Sequence, residues 1–322
     1  MSQIRCGLIG CGGIGGTHTR CLAEVDGIAM IAFCDVVGSS SRSLCDEVDG
    51  DFATTDADKI FSDDSLDAVY IATHHNTHAD LAIRAAEAGK HIFLEKPLAL
   101  SEPECEAVVD AVEKAGVTFM LGFKMRYYSL VQEAHEFIPR PLITVGQMMD
   151  NRWPDDNWAQ DPIRGGGNVI SQGCHTMDLV AYLSGSQPKR VYAEGGAMIH
   201  DNPNVIDQAV ATILFENGSV ASVIQGDAGC PPHNSKFHFQ MFDWPKTCEL
   251  YDRFTHATFN DGTEVEERTR LDEEGFLLEN IDFANALKQG TPAPSDHFDG
   301  LRATMMVLKV FDAIRTGQPQ TL

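Results

Sequence analysis

The chain has 322 residues, 43% of them hydrophobic and 22% charged, which suits a globular protein long enough for two cores. Acidic residues number 47 against 24 basic ones, a formal net charge of −23, and that field excludes nucleic acid and anionic membrane surfaces as partners. Nine scattered cysteines, none in a C-x-x-C pair, exclude a disulfide frame or zinc ribbon and indicate reduced thiols.

The first apolar run begins at residue 4, which leaves no room for a signal peptide, and no apolar stretch reaches the ~18 residues of a membrane span. A cytoplasmic location is therefore expected. Residues 4–9 predict a strand that stops at glycines, and 14–25 a helix. Strands follow at 28–34, 68–72, 91–94 and 118–121, alternating with helices at 39–49, 78–88 and 102–115. The strands are almost continuously apolar, as in a parallel sheet covered on both faces. After about residue 122 the pattern changes. Strands at 142–151, 189–199, 207–215, 219–226, 236–242 and 246–251 mostly follow one another without helices, and Glu216-Asn217-Gly218-Ser219 is a hairpin signal. One helix lies near 171–184, and the chain ends in helices at 278–288 and 299–316. The expected architecture is α/β, with a doubly wound Rossmann domain over 1–122 and a second domain over 123–322 built on an open, mostly antiparallel sheet.

Gly10-Cys11-Gly12-Gly13-Ile14-Gly15 forms a G-x-G-x-x-G between the first strand and the first helix. There Gly10 permits the tight turn, Gly12 lets backbone approach a pyrophosphate, and Gly15 lets the helix pack on the strand. The helix start, with Gly13 and Ile14, offers free N–H groups to phosphates. Asp35 stands about 20 residues beyond Gly15, where a carboxylate accepts both ribose hydroxyls and repels a 2′-phosphate. This favours NAD, while Arg42 and the serines at 39–41 leave NADP open. The third strand ends in Thr73-His74-His75-Asn76-Thr77-His78 at the ligand edge of the sheet. No Cys or carboxylate joins these histidines at ligand spacing. Thr73, His75, Asn76 and His78 are therefore assigned to the cofactor wall and no residue to a metal.

The fourth strand runs into Glu95-Lys96-Pro97, within AGKHIFLEKPLAL. This run resembles the signature of the glucose-fructose oxidoreductase / inositol dehydrogenase / rhizopine catabolism (Gfo/Idh/MocA) family. The resemblance extends in order along the chain: GCGGIGGTH with His18, Thr73 with His78, Gly122-Phe123 with Arg126, and Gly165-Gly166-Gly167 followed by Gly173-x-His175-x-x-Asp178. It implies a Rossmann domain followed by an open-sheet domain that binds substrate and pairs subunits as a homodimer or homotetramer. It also implies NAD(P)-dependent oxidation of a sugar, cyclitol or sugar derivative, a hydride passing between a secondary hydroxyl and the nicotinamide.

That chemistry needs a positioned base and a cation beside the reacting oxygen. Lys96 suits the cation, with Pro97 restricting its backbone and Glu95 orienting ligand or lysine. His175 suits the base, since imidazole titrates near neutrality. On a helix from 171, His175, Asp178, Leu179 and Tyr182 share one face, so Asp178 can reach His175 or Lys96. Many members carry Asp four residues before the histidine, where this chain has Ser171. Either Asp178 orients His175, or Lys96 is itself the main acid/base. Lys124, where Asn is more usual, is either a substrate donor or a surface charge. Arg126 and Ser171 are assigned to substrate, and so are Trp153 and Trp158, whose indole faces either stack on sugar or, as loop aromatics, plug the domain interface. An alternative within the same resemblance is an NAD-recycling glycosidase working by oxidation and elimination. A non-catalytic NAD-binding regulator is a third reading, and Lys96 and His175 argue against it.

Overall fold

The computed structural model describes residues 3–271 and 275–322. The chain divides into two compact units, Met1–Lys124 with Gly275–Leu301, and Met125–Glu274 with Arg302–Leu322.

In the first unit, strands and helices alternate: β1 (Ile4–Ile9), α1 (Gly13–Leu22), β2 (Ile28–Cys34), α2 (Gly38–Glu47), β3 (Phe52–Thr54), α3 (Asp58–Phe61), β4 (Ala68–Ile71), α4 (His78–Glu87), β5 (His91–Leu94), α5 (Glu102–Ala115) and β6 (Phe119–Leu121). The six strands are parallel, in the order β3-β2-β1-β4-β5-β6. Leu8, Val69, Tyr70, Ile92 and Met120 have no exposed surface, so helices cover both faces as the apolar runs require. Strand order reverses at β1, which places the ends of β1 and β4 at the crevice where such sheets bind ligands. β3 and α3 escape the sequence pattern because each is a single short segment of mixed polarity.

The second unit starts with α6 (Ser129–Phe137), followed by β7 (Ile143–Asn151) and α7 (Asn168–Ser184). β8 (Pro188–Gly196), β9 (Gln208–Phe215), β10 (Val220–Gly229), β11 (Phe237–Asp243), β12 (Lys246–Tyr251), β13 (His256–Asn260) and β14 (Val265–Thr269) come next. Along the chain there follow α8 (Phe276–Gln289) and the start of α9 (His297–Thr316), which group with the first unit, and then the rest of α9 and β15 (Gln320–Thr321) in the second. The sheet runs β14-β13-β12-β11-β7-β10-β9-β8-β15 and is antiparallel except where β7 pairs with β10. α7 docks on it through side chains: Thr176 donates to Gln225 Oε1 at 2.8 Å, and Gln225 Nε2 to Asn168 Oδ1 at 3.0 Å. β13, β14 and α6 lie outside the expected elements. β14 is almost wholly exposed and carries no apolar alternation, and α6 is short, with only Leu130, Val131 and Ala134 buried.

One expectation needs correction. A single boundary at 122/123 assigns the C-terminal helices to the second domain, whereas Gly275–Leu301 groups with the first. The cause is aromatic packing. Phe276 sets its edge against His18 at 5.5 Å, and Phe283 against Tyr70 and Phe93 at 5.6 and 5.5 Å. Burying each ring contributes on the order of 2 kcal/mol. Ser295 also extends the sheet edge, accepting from Leu121 N–H at 2.8 Å and donating its hydroxyl to Leu121 O at 2.7 Å.

Candidate active site

The glycine loop has the shape of a phosphate cradle. Gly10 sits at φ +98°, and a Cβ there would lie 2.4 Å from the Ala72 carbonyl oxygen. A Cβ on Gly15 would lie 2.1 Å from Gly10 O, so only glycine lets α1 close on the turn. At Gly12 and Gly13 an added Cβ would meet nothing within 4 Å, which makes the outer edge of the loop open backbone. No side chain caps the start of α1 and no acid lies in its first turn, while Ile14 is 44% exposed beside it. Uncapped N–H groups next to an open loop fit a pyrophosphate. Asp35 braces the loop: its Oδ2 accepts from Cys11 N–H at 2.7 Å and its Oδ1 from Val37 N–H at 2.8 Å. An open cleft of about 370 Å³ runs along the same loop past Ser39, Ser40 and Ser43, with Arg20 paired to Glu47 at its wall.

At the end of β4, Thr73 is half-buried, Asn76 exposed and His75 buried, its ring 5.6 Å from that of His78. His78 Nδ1 donates to Pro97 O at 2.7 Å, with Nε2 3.3 Å from Thr73 O. Burial lowers its pKa, against the pull of those carbonyls, so the neutral ring with its hydrogen on Nδ1 is the form that ties the two loops together. His78 thereby anchors the segment that carries Lys96, whose peptide bond to Pro97 is cis.

Glu95, at the end of β5, is buried. It accepts from His18 Nε2 at 3.0 Å and from the Lys96 N–H at 3.2 Å. Burial works to raise its pKa, but the hydrogen bond from His18 and the charges of Lys96 and Lys124 outweigh that and hold it below the usual carboxylate value. Gly122 makes the room, since a Cβ there would lie 3.0 Å from Glu95 Oε1. Lys124 is half-buried, its Nζ 3.9 Å above the Phe276 ring.

In the second unit, His175, Asp178 and Ser171 are all buried on α7. The Asp178 carboxylate is held by Arg126, through Nε at 2.8 Å and through Nη2, with Arg302 at 4.0 Å. The Arg126 guanidinium also lies 5.1 Å over the Tyr182 ring. Asp178 and Arg126, assigned separately to catalysis and to substrate, thus form one buried ion pair a turn along from His175. Trp153 is half-buried, its indole N–H donating to Asp150 at 3.1 Å, and Trp158 is exposed.

Two groups of residues carry no motif and were missed. His200 bridges two carboxylates, Asp155 at 2.7 Å and Asp227 at 2.8 Å, and Asp227 also accepts from Trp153 N–H and Gln160 Nε2. Burial opposes its protonation, but the hydrogen bonds to Asp155 and Asp227 prevail and raise its pKa. This network fixes the tryptophan loop on β10. The second group is Glu279 and Asn280 on α8. Its one sequence signal is a charged residue on the face that Phe276 and Phe283 define.

The cradle, brace and anchored lysine define a dinucleotide-dependent class of enzyme. Residues 4–123 match the model described as oxidoreductase family, NAD-binding Rossmann fold, and residues 140–239 match the GFO/IDH/MocA C-terminal domain. The 2,7-anhydro-N-acetylneuraminate hydratase of Mediterraneibacter gnavus is 30% identical over 292 residues, 84% of this chain and 76% of that protein. The scyllo-inositol 2-dehydrogenase (NAD(+)) of Bacillus subtilis is 30% identical over 232 residues, 69% of this chain and 66% of that protein. The chain spans about two thirds of the length of several curated relatives it matches. A levoglucosan dehydrogenase solved with NADH and levoglucosan shares the fold, with a TM-score of 0.91 at 22% identity and 99% of each chain covered. The protein belongs to the Gfo/Idh/MocA oxidoreductase family, and its first unit is that family's NAD-binding Rossmann domain.

Proposed function

We propose that the protein is an NAD(P)-dependent oxidoreductase acting on a secondary hydroxyl of a sugar, cyclitol or sugar derivative. The observation that carries this is Lys96, set by His78 and Glu95 at the carboxyl edge of the sheet that holds the open glycine cradle. Bound NAD(P) supplies the acceptor for the hydrogen and electron pair that leave the carbon. The chain's own residues do the rest. Gly10, Gly12, Gly13, Ile14 and Gly15 hold the pyrophosphate, and Asp35 takes the ribose hydroxyls, which favours NAD. Thr73, His75, Asn76, His78 and Glu95 line the nicotinamide side. The Lys96 ammonium stabilises the developing alkoxide, and His175 takes the hydroxyl proton. Arg126 keeps the Asp178 charge in place one turn from His175. Ser171, Trp153 and Trp158 remain the substrate contacts.

A second reading, NAD recycled through oxidation and elimination, is favoured by the hydratase relative, whose match covers 84% of the chain. One experiment separates them: purified protein is screened against sugars, inositols and amino sugars with both cofactors, following NADH absorbance. Net NADH formation supports the dehydrogenase. Tightly retained NAD and product release without net NADH support the recycling enzyme.

We further infer a homodimer or homotetramer through the C-terminal sheet. Its strands leave Ile143, Val210, Val220 and Phe242 exposed, and Trp244 is 91% exposed in the turn after β11. Light scattering tests this, and a monomer overturns it. No helix among the described residues is long and apolar enough to cross a membrane. With the net charge of −23, that supports a cytoplasmic location.

A further inference from the structure

Beside Glu95 stands an acid that the mechanism above does not use. Glu279 has no exposed surface. Both of its carboxyl oxygens are buried without a hydrogen-bond partner among the described residues. Glu279, His18 and Glu95 each present one atom within 4.8 Å of the others.

The next residue settles where the hydrogens lie. Asn280 Nδ2 is 2.7 Å from Phe276 O and 2.9 Å from His18 Nδ1. A backbone carbonyl only accepts, so that end of the amide is the NH₂ group. It therefore donates to His18 Nδ1. The ring hydrogen then sits on Nε2 and points at Glu95. A metal ion would need Nε2 as a bare lone pair, so the bonding suits a proton better than a cation.

The groups facing Glu279 are His18 and Cys21 on α1, Tyr70 on β4, Glu95 and Lys96 beyond β5, and Lys124 beyond β6. Two carboxylates this close and this dry cannot both ionise cheaply. Glu95 accepts two N–H bonds and keeps its charge. Glu279 accepts none and keeps the proton. Burial first, and then the charge of Glu95, push Glu279 well above the usual carboxylate range, with Lys124 and Lys96 pulling the other way.

We propose that Glu279 is a positioning residue held as a neutral carboxylic acid against Glu95, so that the proton it carries sets the charge presented beside Lys96. Losing that proton adds a second negative charge to the cluster, which draws on the Lys96 ammonium and offsets the positive charge it offers the developing alkoxide. That functional consequence rests on the reading of Lys96 given above, whereas the state of Glu279 does not.

The test is infrared spectroscopy of the full chain with thermal unfolding. At pH 7 the wild-type protein shows a carboxylic-acid carbonyl band, Glu279→Gln lacks it, and adding NAD shifts it. The stability sign follows from linkage. At low pH both folded and unfolded Glu279 are protonated and cost nothing. As pH rises past ~4.3 the unfolded side chain ionises and the folded one does not, so wild type loses stability that Glu279→Gln keeps. The gap in Tm in favour of Glu279→Gln therefore widens by several degrees from pH 5 to pH 8. A wild-type protein with no such band, a band unchanged in the variant, or a flat or reversed gap overturns the proposal. So does stoichiometric metal that Glu279→Gln releases. A band indifferent to NAD overturns the positioning role. If the variant does not fold, the pH titration of the band in wild type decides alone. Failure of the dehydrogenase reading would appear separately, as no turnover on any polyol with the band intact.

Discussion

Arg126 grips the Asp178 carboxylate from a 3₁₀ turn just ahead of α6, and both side chains are buried. The pair joins two sequence motifs 52 residues apart, and each residue is costly without the other. Arg126→Met should destabilise the protein by about 3 kcal/mol, because a buried carboxylate loses the guanidinium that holds both of its oxygens. The double variant Arg126→Met/Asp178→Leu should recover much of that loss in urea unfolding. A double variant no more stable than the single one would show that the pair is not what holds these groups.

Glycines in the cradle should separate by geometry. Gly15→Ala drives a Cβ to 2.1 Å from Gly10 O and should disrupt the loop, lowering Tm even without ligand. Gly12→Ala meets nothing within 4 Å and should leave Tm unchanged while weakening NADH at least tenfold in fluorescence titration. Equal effects of both on Tm would contradict the open-edge geometry.

Asp35→Ser removes the proposed ribose acceptor and, with it, the brace on Cys11 N–H. NAD affinity should fall and the NADP-to-NAD affinity ratio should rise. An unchanged ratio would sink the assignment of Asp35 to the ribose.

On the proposed mechanism, Lys96→Met lowers turnover by orders of magnitude while NADH still binds. His175→Ala flattens a neutral-range limb of the pH–rate profile. A near-normal rate in the first removes the alkoxide role. An unaltered profile in the second makes Lys96 the base.

His200 gives the tryptophan loop a pH-dependent clamp. Its pKa is raised in the fold, so its contribution is complete below ~6.5 and is lost as pH climbs through the folded value. Wild type should exceed His200→Gln in Tm at pH 6 and converge with it by pH 9. A constant gap would mean that the bridge to Asp155 and Asp227 does not depend on charge.

The cofactor half of the molecule is legible because its devices are local. Gly10, Gly15 and Asp35 lie within one strand–helix–strand unit, and continuous apolar strands announce a parallel sheet. The partner of Asp178 is not legible, because a helix face shows which residues share a side and not which distant arginine arrives there. Nor does periodicity reveal that α8 joins the first unit. Any amphipathic helix is satisfied by any apolar surface, and only the rings of His18, Tyr70 and Phe93 decide which one. Glu279 is visible in hindsight as an acid on an apolar stripe, a pattern that is noise in most helices and is given meaning here by His18 and Glu95.

The return of residues 275–301 to the first unit orders events during synthesis. Domains generally form as they leave the ribosome, N-terminal first. Here the Rossmann sheet emerges early, but the surface made by His18, Tyr70 and Phe93 waits for Phe276 and Phe283, which come after every strand of the open sheet but β15. The nascent chain thus carries an uncovered aromatic patch through most of its translation. A fragment ending at residue 122 should bind a hydrophobic dye that the full chain excludes, and adding residues 275–301 back as a separate peptide should quench that signal.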